Sequence, residues 1–291
     1  MVCYILRKLT KIDIICNMGI KITNANKTGK VKASDLANYL LSHGIASIKT
    51  SEIANLLEIP VNQVPQRMQA LKKKGMIVSP AKGLWMPVPP EYMAWGAPPA
   101  IEVIDSLMKH LGAGYYVGWL SAAAYLGASH HAPQVFQVAA SRAIRDRVIG
   151  RSDFRFFHRS NIAYINTVLV ESRSGSIPIS SREATLLDIA DDVSIAGGLD
   201  NVANLVIELC EAKLPSILLI TDLIQYYPAS ALRRLGWLLE NYTGTKSVDL
   251  LKKEASNRES TASLLDPLSD RSGIFDSSWN LRINRVVEPD V

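Results

Sequence analysis

No apolar run in this 291-residue chain reaches the roughly 18–20 residues that a membrane-spanning helix requires. That excludes a helical integral membrane protein. Cysteine is scarce: Cys3, Cys16 and Cys210 are scattered and form no CxxC pair. Neither a disulfide framework nor a zinc knuckle is indicated, and a reduced, cytoplasmic protein is expected. His130 and His131 are adjacent rather than one helical turn apart, with no Cys, Asp or Glu cluster beside them. They read as loop residues, not metal ligands, and no cofactor is expected. The opening "MVCYILRKLTKIDIICNMG" makes a poor signal peptide, because Lys11 and Asp13 interrupt it and no small-residue cleavage site follows. Residues 1–30 read as an N-terminal extension open to disorder, with Met18 as an alternative start. The most informative absence is acidic. Between Glu58 and Glu91 there is no Asp or Glu, although Arg67, Lys72, Lys73, Lys74 and Lys82 lie there.

What is present is uneven. The overall balance of +5 hides 13 Lys and Arg against 4 Asp and Glu in residues 1–90, and 19 against 23 in the remainder. A basic first part joined to a mildly acidic second part points to a polyanion partner for the first part alone. Within that part, "SDLANYLLSHG" reads as a helix capped by Ser34, with Leu36, Tyr39 and Leu40 as its apolar stripe and Gly44 as its stop. "TSEIANLLEIP" reads as a second, capped by Thr50 or Ser51, facing Ile53, Leu56 and Leu57 inward and ended by Pro60. A third spans about Asn62 to Lys74, with Val64, Met68 and Leu71 at spacings of four and three. Pro65 is tolerated in its first turn, where backbone N–H groups have no helical partner. Gly75 suits the left-handed position that follows. "MIVSP" and "LWMPV" then read as two strands around a turn containing Ala81, Lys82 and Gly83.

Three helices followed by a β-hairpin is the order of a winged helix-turn-helix, expected over residues 31–90. If Val64, Met68 and Leu71 face the core, Asn62, Gln63, Gln66, Arg67, Ala70 and Lys74 remain on the outer face. Amides and an arginine near the helix start can read base edges, while Lys72, Lys73, Lys74 and Lys82 can hold phosphates. Thr50 and Ser51, opening the second helix, join them as candidate contacts to double-stranded DNA. The bland alternatives are a solvated lysine run and a winged helix used for protein contacts.

Residues 91–98 read as a linker within "PVPPEYMAWGAPP", and residues 99–250 as a larger α+β domain. "AIEVIDSLMKHLG" and "YYVGWLSAAAYLGASHHAP" read as helices, the second rich in small residues and ended by Gly127. Strands follow in "QVFQVAAS", "FRFFHR", "INTVLVES" and "SIPIS". Arg142, Arg145, Arg147, Arg151, Arg155 and Arg159 fall among them, and their alternation with apolar residues suits the exposed side of a sheet better than a second nucleic-acid surface. "SSREATLLDIADD" opens a helix, with Ser180 as N-cap and Glu183 in a capping-box relation. "LDNVANLVIELCEA", "SILLITDLIQYY" and "ASALRRLGWLLENY" continue as helices. Strands before helices give an α+β class: a winged helix-turn-helix followed by a larger mixed domain. Residues 251–291 read as a polar tail with one strand-like piece, "WNLRINRVV".

Four stretches together resemble the AbiEi antitoxins: "RMQALKKKGMIVSPAKGLWMPVPPEY", "YYVGWLSAAAYLGASHHAPQVFQVA", "SREATLLDIAD…GGLD" and "ALRRLGWLLE". Each is weak alone; their order and spacing, over about residues 20–250, carry the likeness. The resemblance implies a transcriptional regulator of a type IV abortive-infection toxin–antitoxin system. It further implies binding to inverted repeats in its own promoter and a C-terminal domain that counteracts a nucleotidyltransferase-like toxin without needing a stable complex. It supplies no catalytic residues, and the DNA-contact candidates rest on the helix reading alone.

An enzyme is the competing class. A restriction-type nuclease would pair an acidic strand residue with a downstream Glu-x-Lys around a metal. Asp153 and Glu171-Ser172-Arg173 approach that pattern, but an arginine cannot act as a readily deprotonated amine. Nucleotidyl transfer would need two carboxylates two residues apart after a Gly-Ser turn. Gly175-Ser176 is present, but Asp188 is followed at the second position by Ala190, on a helix. No catalytic or metal-binding residue is therefore expected.

Overall fold

The computed structural model describes residues 31–128, 134–245, 248–258 and 261–290. The extension over residues 1–30, the alternative start at Met18 and the His130–His131 pair lie outside them. The chain opens with α1 (Leu36–Ser42), β1 (Ile48–Lys49), α2 (Thr50–Leu57) and α3 (Val64–Lys73), then the hairpin β2 (Ile77–Ala81) and β3 (Leu84–Pro87). β3 lies between β1 and β2, antiparallel to both. Val64, Met68 and Leu71 are buried with Leu36, Leu40, Ile53 and Leu57. Each side chain of that size contributes about 1.5–3 kcal/mol on burial.

Caps differ from the expected ones. A 3-10 turn, Ala33–Asp35, leads into α1, and Ser34 bonds the Asp35 carboxylate instead of capping. Lys49 is the N-cap of α2, where its backbone N–H donates to Glu52 Oε2. Thr50 instead accepts from Trp85 Nε1 at 2.9 Å, tying α2 to the hairpin. The α2–α3 turn passes through Glu58 at φ 54° and a 3-10 turn, Val61–Gln63.

Residues 91–98 are structured: Pro90–Trp95 form a 3-10 helix that delivers the chain to α4 (Ala100–Leu111). A six-stranded sheet follows, built from β4 (Tyr115–Val117), β5 (Val135–Ala140), β6 (Arg147–Ile149), β7 (Ser152–His158), β8 (Thr167–Ser172) and β9 (Gly175–Ser180), with α5 (Trp119–Tyr125) inserted after β4. Its order is β6-β7-β5-β4-β9-β8, with β5–β7 and β4–β9 parallel. The expected single helix over "YYVGWLSAAAYLG" is thus a strand and a helix. Strand alternation sends Val117, Val138, Ala140, Phe154, Ile177 and Ile179 to one face, and Tyr116 and Ala139 to the other.

The first face packs against α4 through Val103, Ile104, Leu107 and Met108, and the same cluster takes in Leu84 and Met86 of β3. The second face carries α6 (Arg182–Asp191), α7 (Leu199–Ala212), α8 (Ile217–Leu223) and α9 (Ala229–Tyr242). Ser181, not Ser180, caps α6 by accepting from Ala184 N. Ser180 is buried and bonds Thr185, while Glu183 accepts from the backbone of Ser216. The segment read as a polar tail is also folded. It forms α10 (Asp249–Asn257) and a small sheet, β10 (Ser263–Leu264), β11 (Ile274–Asp276) and β12 (Leu281–Ile283). Trp279 is fully buried against Gly236, where any Cβ would overlap its ring. Its indole N–H donates to Glu240 Oε2 at 2.8 Å. The result is mixed α+β, and among the described residues no helix is long and apolar enough to cross a membrane.

Candidate nucleic-acid interface

α3 owes its exposed face to its own periodicity. With Val64, Met68 and Leu71 inward, Asn62, Gln63, Gln66, Arg67, Lys72, Lys73 and Lys74 are all exposed. No carboxylate lies on α3, and among the described residues Arg67 and the three lysines have no ion-pair partner. Uncompensated cations beside short amide side chains are what a phosphate-and-base surface requires. Ser51 is exposed at the start of α2, whereas Thr50 is half-buried and its hydroxyl is engaged by Trp85. Lys32, which the sequence did not single out, lines a cleft of about 420 Å³ with Arg67. It sits ahead of the first helix and carries no periodic signal of its own.

Lys82 is exposed in the turn between β2 and β3, but its backbone is held. His110 Nε2, from the last turn of α4, donates to the Lys82 carbonyl at 3.0 Å. Arg147 Nη1 donates to the Pro80 carbonyl at 3.2 Å and lies over the Phe156 ring. The hairpin tip is therefore fixed by the larger region while its lysine side chain stays in solvent.

The nuclease candidates are not brought together. Asp153 lies in β7 and pairs with Arg155, whereas Glu171 lies in β8 and accepts from Ser176. β5, β4 and β9 separate those strands. Arg173 is turned to Glu91 at 2.7 Å. Nor do the arginines of the sheet region form one surface. Arg142 donates to the Leu111 carbonyl, Arg155 pairs with Asp146 and Asp153, and Arg159 enters the interior.

That interior holds a second polar centre. Asp188 of α6 is fully buried and accepts at Oδ1 from Tyr227 at 2.8 Å and from Tyr116 at 3.2 Å. Arg159 Nη2 stands 3.1 Å from the same oxygen and 3.0 Å from Asp191 Oδ2, between the Trp119 and Tyr227 rings. Burial pushes the Asp188 carboxyl up to about 6, against the pull of Arg159 and the two tyrosines. Trp119 holds φ 48°, a left-handed conformation costing a non-glycine residue about 1–3 kcal/mol. Gly118 precedes it because a side chain there would press on Tyr116 and Asp188 Oδ2 at 3.0 and 3.1 Å.

Residues 116–241, which contain this centre, match the family model of the AbiEi antitoxin C-terminal domain. The chain carries an AbiEi antitoxin domain. That match supports an antitoxin role in a toxin–antitoxin system. The AbiEi antitoxin domain runs from the middle of β4 to the end of α9, so Tyr116, Trp119, Arg159, Asp188 and Tyr227 all lie inside it. The α3 face and the hairpin lie outside it. No curated protein sequence matches the chain. Among solved structures, the RV2827C protein from Mycobacterium tuberculosis is similar in fold, with a TM-score of 0.63 at 16% identity over 86% of this chain and 90% of that one.

Proposed function

We propose that this AbiEi antitoxin represses its own operon by binding inverted repeats in double-stranded DNA through residues 31–90, folded as a winged helix-turn-helix. Residues 99–250 would then counteract a nucleotidyltransferase-like toxin without a stable complex, joined to the DNA-binding unit by residues 91–98. One observation carries the reading: α3 presents Asn62, Gln63, Gln66 and Arg67, then Lys72–Lys74, on an exposed face that lacks carboxylates. Amides and Arg67 would contact base edges; the lysines, with Lys82 in the hairpin turn, would contact phosphates. No catalytic step is assigned to any residue.

The test is a footprint of the purified full chain on the DNA upstream of its own gene. Protection of an inverted repeat is expected, and its loss when Arg67 and Lys72–Lys74 are replaced together. Growth rescue from the neighbouring toxin gene should survive that replacement, because antitoxicity is placed in the larger region. An unchanged footprint would refute the DNA surface, and lost rescue in a folded variant would refute the division of labour.

A further inference from the structure

A cavity of about 270 Å³ opens where α1 and β3 meet α4 and the β8–β9 turn. Much of its lining is carbon: Leu41 and Ile45 near the end of α1, Met86 in β3, and Pro98 ahead of α4. The lining also includes Glu102, in the first turn of α4, and Arg173. Arg173 is already committed. Its Nη1 donates to Glu91 at 2.7 Å, its guanidinium lies over the Tyr92 ring, and only its Nε faces Glu102, at 3.9 Å.

Two carboxylates therefore share one guanidinium, and the uncompensated charge falls on Glu102, whose side chain is 15% exposed. Burial raises the Glu102 pKa, Arg173 draws it back, and Glu91 adds to the rise. The N-terminal field of α4 favours the anion. A carboxylate left against apolar side chains with its nearest cation 3.9 Å away bears desolvation that the pair repays only in part. A ligand bringing its own cation relieves it.

We propose that this cavity binds a small organic cation, a primary ammonium on a compact apolar body, with the ammonium on Glu102 and the body against Met86 and Leu41. A neutral analogue forfeits the ion pair, and an anionic one is repelled by Glu102. The proposal makes no use of the α3 face, so its test needs no DNA and stands apart from the repressor reading.

The experiment titrates the full chain with phenethylamine, 2-phenylethanol and 3-phenylpropanoate, following the Met86 methyl resonance by NMR and heat by calorimetry. Saturable phenethylamine binding is expected, about tenfold tighter than the alcohol, consistent with one charge-assisted hydrogen bond. Glu102→Gln should erase that preference. Arg173→Gln should strengthen amine binding, a gain that loss of fold cannot imitate, and Arg173 is 62% exposed and tolerant of replacement. Equal binding of amine and alcohol, no shift of Met86, or amine affinity indifferent to both variants would overturn the proposal.

Discussion

Arg67 and Lys72–Lys74 project from α3 into solvent with no ion-pair partner among the described residues, whereas four arginines of the AbiEi antitoxin domain, Arg159, Arg182, Arg233 and Arg234, turn inward. Arg159 meets Asp188 and Asp191. Arg182 donates to the carbonyls of Leu126 and Leu209, Arg233 to Thr261, and Arg234 to Leu264, Leu265 and Ala190. The same residue type thus does opposite work. An exposed, unpaired cation contributes little to stability and is free to meet a phosphate. A buried one joins distant parts of the chain, and its loss strands whatever it was paired with.

Substitutions can break that contrast, and the largest effect is expected at Arg159. Arg159→Ala strands the Asp188 carboxylate in the core and should cost about 3–5 kcal/mol, read from urea unfolding at pH 8. The loss should shrink at pH 5, where Asp188 can take up a proton. A cost below about 1 kcal/mol at pH 8 would show that the pair contributes little. Next comes Gly236→Ala. Its methyl would press on the Trp279 ring, and overpacking of this kind costs about 1–3 kcal/mol, with a change in near-ultraviolet circular dichroism.

A third prediction concerns pH. The folded Asp188 pKa of about 6 lies above its ordinary value of 3.8, so the folded state binds that proton more tightly. The stabilisation is fully present below pH 3.8 and is lost as pH rises through about 6. Asp188→Asn keeps an acceptor for both tyrosines but removes the titration. Relative to the native chain, the variant should therefore gain stability between pH 4 and 7. A constant difference across that range would sharpen the comparison in the other direction, by showing that Arg159 holds Asp188 ionised. His110→Ala, which releases the Lys82 carbonyl, should cost only about 0.5–1.5 kcal/mol in the same unfolding assay.

The exposed side of this contrast was legible in the sequence because helical periodicity is local. Val64, Met68 and Leu71 mark the inward face of α3, and the remaining residues follow by elimination. The interior polar centre was not legible. Asp188 and Arg159 are 29 positions apart, Tyr116 and Tyr227 are further still, and no pattern announces that four polar residues will meet in a core. The break between β4 and α5 was hidden for a related reason: small residues in "SAAAY" suggested one helix, and the turn at Gly118 and Trp119 depends on tertiary packing. The C-terminal segment looked polar because Arg233 and Arg234, which hold it, lie in α9, and its largest anchor, Trp279, fits only where Gly236 leaves room.

The salt dependence of operator binding tests the central claim most directly, measured by fluorescence anisotropy for the native full chain and for the chain with Arg67 and Lys72–Lys74 replaced. Unfolding free energies of the two should agree within about 0.5 kcal/mol, because the altered residues are exposed and unpaired. The native chain should bind with an affinity that falls steeply with salt, and the variant should bind far more weakly, with about one unit of slope lost for each phosphate-contacting lysine replaced. Equal affinity and equal slope for the two proteins would contradict the account and move any DNA contact away from α3.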